Sequence, residues 1–457
     1  VTANMAAQQA QTPPSTTQNV PATPVQTPAQ TTPPPGPVLS LDEALTIAEQ
    51  SAFDVRTSES QLRRTKGRLN EVRGLAGPRV TTNATYTRFD KEIRSTSSGS
   101  GGGSSVVQPI DQKQAGVQFS MPLDITGTIG RGVKGASATV RASEANVETA
   151  RNTLRLNVRS AYFNVLRAQA LVGVAEQTLQ NAQQSVRTEE QREAAGVSAR
   201  VDVLRLQTQL AQAQADLIAA QSGLALAKEN LNNVLARPIE TPYSVQEPTT
   251  LPDVTVDANT LTATAVTRRP EIRAIRYQRQ ALAWVTRAQE GGLLPSLNLT
   301  ANYNRNIGAS GNQRDYTAFA TVGLSWPIFD SGVTRARVQQ AREDERQAEI
   351  QQEQLELGVS LEVRQAMTNL VNAKSTLQVA QTQVTVATET YRLAQVRLQA
   401  GEGTSLEVTN ALTDLTRAQN QLANARYNYL TAYAQLQRAV AADDPNAAPP
   451  EQGTGKK

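Results

Sequence analysis

The 457-residue chain contains no cysteine and no histidine. The first absence removes disulfide stapling and thiolate chemistry; the second removes the commonest general base and the commonest transition-metal ligand. No catalytic set, no metal site and no cofactor are expected. Aromatic residues make up only 4% of the chain. Large side chains are too scarce for a thick spherical core, so thin helix-on-helix layers are expected instead. No run of about 18 apolar residues occurs, which argues against a transmembrane helix. Charge of neither sign dominates: 45 basic and 41 acidic side chains give +4, scattered along the chain. Without a basic stripe and interleaved aromatics, nucleic acid is not an expected partner. The first residues show no charged stretch followed by an apolar one, so any signal peptide is expected to have been removed or never to have been there.

What is present is a duplication. Gly74, Pro78 and Tyr86 stand 217 residues before Gly291, Pro295 and Tyr303. From Pro122 onward the offset is 205, pairing Pro122 with Pro327, Gly127 with Gly332, Asn164 with Asn369, Gly196 with Gly401 and Leu231 with Leu436. The 12-residue difference falls between Tyr86 and Pro122, a window holding STSSGSGGGSS at 95–105. That is the composition of a loop tip, where length changes at little cost. Each copy therefore reads as a rigid unit with one free end. Residues 1–38, rich in Pro, Thr and Gln, read as a disordered leader, 39–236 as the first copy and 237–257 as a Pro-punctuated connector. Residues 258–440 form the second copy, and 441–457 read as a disordered tail.

Each copy opens with a helical stretch, Leu41 to about Arg73 and about Asn259 to Glu290, the first introduced by Ser40 and Glu43 in a capping-box pattern. A β-hairpin with a glycine-rich tip follows, at about 79–122 and 296–327. In the second hairpin Leu297, Leu299, Ala301 and Tyr303 alternate with Asn298, Thr300, Asn302 and Asn304. Ala318, Ala320, Val322, Leu324 and Trp326 likewise alternate with Phe319, Thr321, Gly323 and Ser325. Period two gives each strand one apolar and one polar face. Val80 to Arg88 and Ala115 to Met121 repeat the pattern more weakly.

Each hairpin leads into a helix, about 131–194 and about 335–398, roughly 90–100 Å long at 1.5 Å per residue. From Leu154 through Val158, Ala161 and Val165 to Val186 the apolar positions step four, three, four, three, and Val359 to Tyr391 repeat them. This is a heptad seam. After the short breaks AAGVSAR and QAGEGTS, further helices at about 200–236 and 405–440 carry Leu210, Ala213 and Leu217, and Leu415, Ala418 and Leu422. Breaks that short allow only a reversal, so each long helix pairs antiparallel with its successor. Towards the strands Ser137, Glu144 and Arg151 interrupt the seam, and another packing partner must take over. The GxGxxG of Gly130, Gly132 and Gly135 lacks the second parallel strand that a dinucleotide site needs within about 30 residues. It reads as a flexible strand-to-helix junction.

A four-stranded sheet with one apolar face is not a closed object. If that face meets lipid its edges must be paired, and membrane barrels have at least eight strands, so several chains must share one barrel. At this point a resemblance becomes specific. From Leu39 to Val440 the chain resembles the TolC family of outer-membrane efflux proteins. The likeness is carried by LSLDEAL at 39–45, Leu-Pro-Ser-Leu at 294–297 and Trp-Pro-Ile-Phe-Asp-Ser-Gly at 326–332. Gly-x5-Asp-Val at 196–203, its copy Gly-x5-Glu-Val at 401–408, and Leu-Ala-Asn-Ala-Arg-Tyr-Asn-Tyr-Leu at 422–430 add to it.

The resemblance implies a mainly α fold with a β-barrel portion: a homotrimer whose twelve strands close a barrel in the cell outer membrane, continued by a helical tunnel into the periplasm. It implies outer-membrane lipid, a periplasmic adaptor (membrane fusion) protein and an inner-membrane pump as partners, and passive export of small molecules or polypeptide as the activity. It also puts the tunnel entrance at the helical tips, with Glu407, Asn410, Asp202 and Arg205 at the gate. Gly196, Val197, Ser198, Gly401, Gly403, Thr404 and Ser405 would meet the adaptor. Glu407 would supply a cation-favouring ring of carboxylates, Asn410 departs from the acidic pattern, and Gly403 stands where an arginine is expected. The plain alternative for Glu407 is an ordinary acid at a helix N-terminus. Trp326 and Tyr303 are candidate membrane-interface anchors. The competing reading is a periplasmic coiled-coil adaptor or structural protein of an envelope-spanning complex, which shares the heptads but has no need of two alternating hairpins.

Overall fold

The structure, a computed structural model, describes residues 36–96, 104–248, 251–307 and 315–446. The first copy runs through β1 (Val38–Leu39), α1 (Leu41–Ser51), α2 (Phe53–Gly74), β2 (Arg79–Arg88), β3 (Ile93–Thr96), β4 (Ser104–Gln108), β5 (Asp111–Leu123), α3 (Thr128–Ala194), α4 (Arg200–Val234) and β6 (Ser244–Val245). The second runs through α5 (Ala258–Arg268), α6 (Pro270–Glu290), β7 (Ser296–Ile307), β8 (Tyr316–Ser325), α7 (Val333–Gln399) and α8 (Ser405–Val440). The duplication extends to element boundaries: α3 and α7 are both 67 residues long, and α1 and α5 both 11. At 1.5 Å per residue the long helices span about 100 Å.

Strands β2, β5, β7 and β8 form one antiparallel sheet in that order. Each continues into, or out of, one helix. Next to the sheet α3 packs between α2 and α6, and α6 also packs on α7; farther away α3 packs on α4 and α8, and α8 on α7. The result is a layer one helix deep that keeps the left-to-right order of the sheet. Two of the polar interruptions of the heptad seam face α2: Glu144 pairs with Lys66 at 3.4 Å and Arg151 with Glu59 at 3.1 Å. Two equivalent apolar cores sit midway along the layer, one around Val158, Tyr162, Val165 and Leu231, the other around Ile272, Val359, Val363 and Leu436.

Several sequence expectations need correction. The opening helical stretches are broken, at Ala52 (ψ 133°) and at Arg269 (ψ 126°). Arg269 precedes Pro270, and a residue before proline is driven out of the helical region; no such residue marks Ala52. Residues 36–38 are not leader: β1 pairs in parallel with β6 of the connector, and the buried Tyr162 hydroxyl holds both, 2.9 Å from the Leu39 carbonyl and 2.7 Å from that of Gln246. The first six residues of the expected tail are also in place, with Asp443 on Arg159 at 3.0 Å and Asn446 on the Asp253 carbonyl at 2.9 Å. The first hairpin carries an extra ribbon, β3 with β4. Its glycine-rich tip at 97–103, the second tip at 308–314, residues 1–35 and residues 447–457 lie outside the described residues. Gly130, Gly132 and Gly135 are not a flexible junction but belong to the first turns of α3. A Cβ on Gly135 would lie 3.4 Å from the Ala281 carbonyl and from the Trp284 Cβ, an ordinary contact with α6.

Candidate functional site

The function-bearing features lie at the two ends of the layer. In an antiparallel ladder, directly opposed residues share a face. Leu297, Leu299, Ala301 and Tyr303 of β7 oppose Leu123, Met121, Phe119 and Val117 of β5, and Leu324, Val322, Ala320 and Ala318 of β8. The other face is made of amides and hydroxyls: Asn302 opposes Gln118, Thr300 opposes Ser120 and Thr321, and Asn306 opposes Gln114. β2 follows suit, with Val80 and Ala84 on the apolar face and Thr81, Asn83 and Thr85 on the polar one. The alternation is clear in the sequence of the second copy and weaker in the first, and the register aligns all four strands in phase.

Tyr303 and Tyr316 stack near the turn end of the apolar face, ring centres 6.2 Å apart. Trp326 lies just beyond the other end of β8, its indole N–H donating to the Leu293 carbonyl at 3.2 Å. From Tyr316 to Trp326 is about 33 Å along the strand, or about 25 Å across a membrane at ordinary barrel tilt. That is the height of a lipid-facing band with aromatic borders. No helix of the described residues is long and apolar enough to cross a membrane.

At the far end, α3 turns into α4 and α7 into α8. Gly196 (φ 73°) and Gly401 (φ 79°) take the left-handed conformation that ends each long helix, with Val197 N–H on the Arg192 carbonyl at 3.0 Å and Glu402 N–H on that of Arg397 at 2.9 Å. A Cβ on Gly403 would lie 3.1 Å from the Arg397 Cβ and from the Leu398 nitrogen, so this turn has little room for the arginine expected there. Thr404 caps α8 by accepting from the Glu407 N–H at 3.2 Å. The Glu407 carboxylate lies 3.5 Å from Arg397, while Asp202 pairs with Arg205 at 3.2 Å in the other tip. Asn410 is exposed on α8.

Three tip residues escaped sequence reasoning. Glu189 is buried, at 3% exposure, and accepts from the Ser198 hydroxyl. Arg192 donates to the Leu398 carbonyl at 3.0 Å and so links one tip to the other, and Arg397 partners Glu407. A signal was available: Arg192 and Arg397 are repeat equivalents, each in the last turn of its helix.

A sequence model of the family described as outer membrane efflux protein matches residues 44–237 and 261–442, most of both copies. The chain belongs to this family. Outer membrane protein TolC of Escherichia coli strain K12 is 25% identical to this chain over 310 residues, 65% of this chain and 63% of TolC. The chain thus spans less than two-thirds of that relative's length. The cobalt-zinc-cadmium resistance protein CzcC of Cupriavidus metallidurans is 24% identical over 412 residues, 89% of each chain. In fold the chain matches the outer-membrane channel OprN with a TM-score of 0.74 at 22% identity, over 88% of this chain and 90% of that one. The fold is therefore mainly α with a barrel portion, and the chain is that of an outer-membrane protein. The family is one of outer-membrane efflux proteins, which does not favour the coiled-coil adaptor reading.

Proposed function

We propose that three copies of the efflux protein close one twelve-stranded barrel, and that their helical layers close below it into a tube. Solutes delivered by an inner-membrane pump through a periplasmic adaptor leave passively by this duct. The observation that carries the proposal is the segregated sheet: an apolar face, an amide face, and outer edges of β2 and β8 with no partner among the described residues. Lipid can solvate the first face but cannot satisfy the edges. Two copies would give an eight-stranded barrel whose interior side chains fill it, while three leave an aqueous path. Three is also the number that the family resemblance implies.

The helical edges point the same way. α4 exposes Leu204, Ile218 and Leu226, and α7 exposes Leu357, Val371, Val379 and Val386. Water solvates such rows poorly, and the edges of neighbouring copies would bury them. In this assembly Trp326 and Tyr303 anchor the two membrane interfaces. Glu407, Asn410, Asp202 and Arg205 surround the entrance, and the turns at Gly196, Val197 and Ser198 and at Gly401, Gly403, Thr404 and Ser405 meet the adaptor. No catalytic step is involved, and solute choice rests with the pump. The test is purification from outer membranes in mild detergent, with a measured mass of three times 49.1 kDa and ion conductance in planar bilayers. A monomer without conductance would overturn the proposal.

A further inference from the structure

Charge on the apolar face of the sheet is confined to its turn end. Arg88, Asp111, Lys113 and Arg305 occupy the last rows there, while the rows towards the helices, from Val80, Phe119, Leu297 and Leu324, carry none. Asp111 is satisfied locally, accepting from the Tyr86 hydroxyl at 2.8 Å with Arg88 at 4.0 Å. Lys113 and Arg305 have no carboxylate partner among the described residues. Lys113 stands between Tyr86 and Ile307, and Arg305 between Ala115 and Tyr316. They are diagonal neighbours on adjacent strands, roughly 7 Å apart at the backbone, and both are exposed.

Two unpaired cations beside a lipid-facing apolar surface are costly unless an anion joins them. Their long apolar stems can lie along the sheet with the charged heads lifted to headgroup level, where Tyr86, Tyr303 and Tyr316 also sit. The end involved is the one away from the periplasmic helices, so the headgroups there belong to the outer leaflet. We propose that Lys113 and Arg305, bordered by Tyr86 and Tyr316, bind a phosphate group of an outer-leaflet lipid. The guanidinium offers a two-pronged donor set matched to phosphate oxygens, and the ammonium adds a compact second charge. This rests on the barrel proposed above, which makes the apolar face the outward one.

The test uses the intact trimer in detergent, with diphosphorylated lipid A and its dephosphorylated form as probes and native mass spectrometry as the readout. Lys113→Gln with Arg305→Gln should lower affinity for the phosphorylated lipid on the order of tenfold. Lys113→Arg with Arg305→Lys should retain it, and the parent should bind the dephosphorylated lipid as weakly as the glutamine variant does. Conductance should be the same for all three proteins. Equal binding of both lipids by the parent, or undiminished binding by a glutamine variant of intact conductance, would overturn the site and leave the barrel standing. Absence of trimer and conductance in the parent would instead remove the barrel.

Discussion

Among the described residues, Phe319 is the one large apolar strand side chain that the register places with the Asn, Gln and Thr side chains, opposite Asn302. Alternation alone would put a polar residue there, so Phe319 is the sharpest probe of which face lines the duct. The chain has no cysteine, and Phe319→Cys would introduce its single thiol. A charged methanethiosulfonate reagent is expected to reach it from water and lower bilayer conductance, while Ala320→Cys on the opposite face stays unlabelled. The reverse pattern of labelling would place the amide face outside. At the other end, Glu407 makes only an exposed pair with Arg397, a type of contact that contributes about 0–1 kcal/mol. Glu407→Gln should therefore leave thermal stability nearly unchanged and reduce block of the conductance by divalent cations. Unaltered block would remove Glu407 from the entrance.

Between the ends, a cluster of ion pairs ties the shorter helices to the long ones. Arg269, nearly buried at the break between α5 and α6, donates to Glu271 at 3.2 Å and to Glu362 of α7, and Arg438 of α8 reaches both carboxylates. Burial pushes the Glu271 carboxyl up, but the hydrogen bond and charge of Arg269, with Arg438 behind it, outweigh this and hold it below the ordinary 4.5. A carboxyl depressed in the folded state contributes stability that is complete above its unfolded value and is lost as pH falls through its folded value. Glu271→Gln should thus cost about 2 kcal/mol at neutral pH. The difference from the parent should shrink once pH drops below about 4.5, as read from thermal midpoints by circular dichroism. A difference constant with pH would show that the charge is not what matters. Pro270 carries the signal for the break at Arg269, which the reading of one helix from about Asn259 to Glu290 passed over. The equivalent break at Ala52 carries no proline; beside it the Ser51 hydroxyl donates to the carbonyl of Leu235, the residue just after α4, at 2.9 Å.

At the scale of the whole molecule the decisive feature is what one copy leaves open. Ile218 is 65% exposed on α4, and Leu357 is 73% exposed on α7 at the opposite edge of the layer. Covering an isoleucine contributes about 2 kcal/mol, and the proposed tube of three copies would repeat such an edge three times. Ile218→Glu is expected to shift the protein from trimer to monomer in detergent while far-ultraviolet circular dichroism keeps its helical signal. A trimer of unchanged stability would mean that this edge of α4 faces solvent in the assembly.

Periodicity is a property of neighbours within one element, and it was enough to specify the two copies, the alternating strands, the heptad helices and the reversals between them. The resemblance in the tip and turn motifs added the family, and with it the membrane. Which strand lies beside which, and which cation meets which anion, has no periodic signature. The order β2–β5–β7–β8 joins two hairpins more than a hundred residues apart in the chain, and Arg192 meets a carbonyl 206 residues away. Such choices are made by packing, because a polar group taken from water must find its partner wherever the fold has brought one. Folding of the two copies against each other therefore set the phase of the sheet's two faces and the link between the tips.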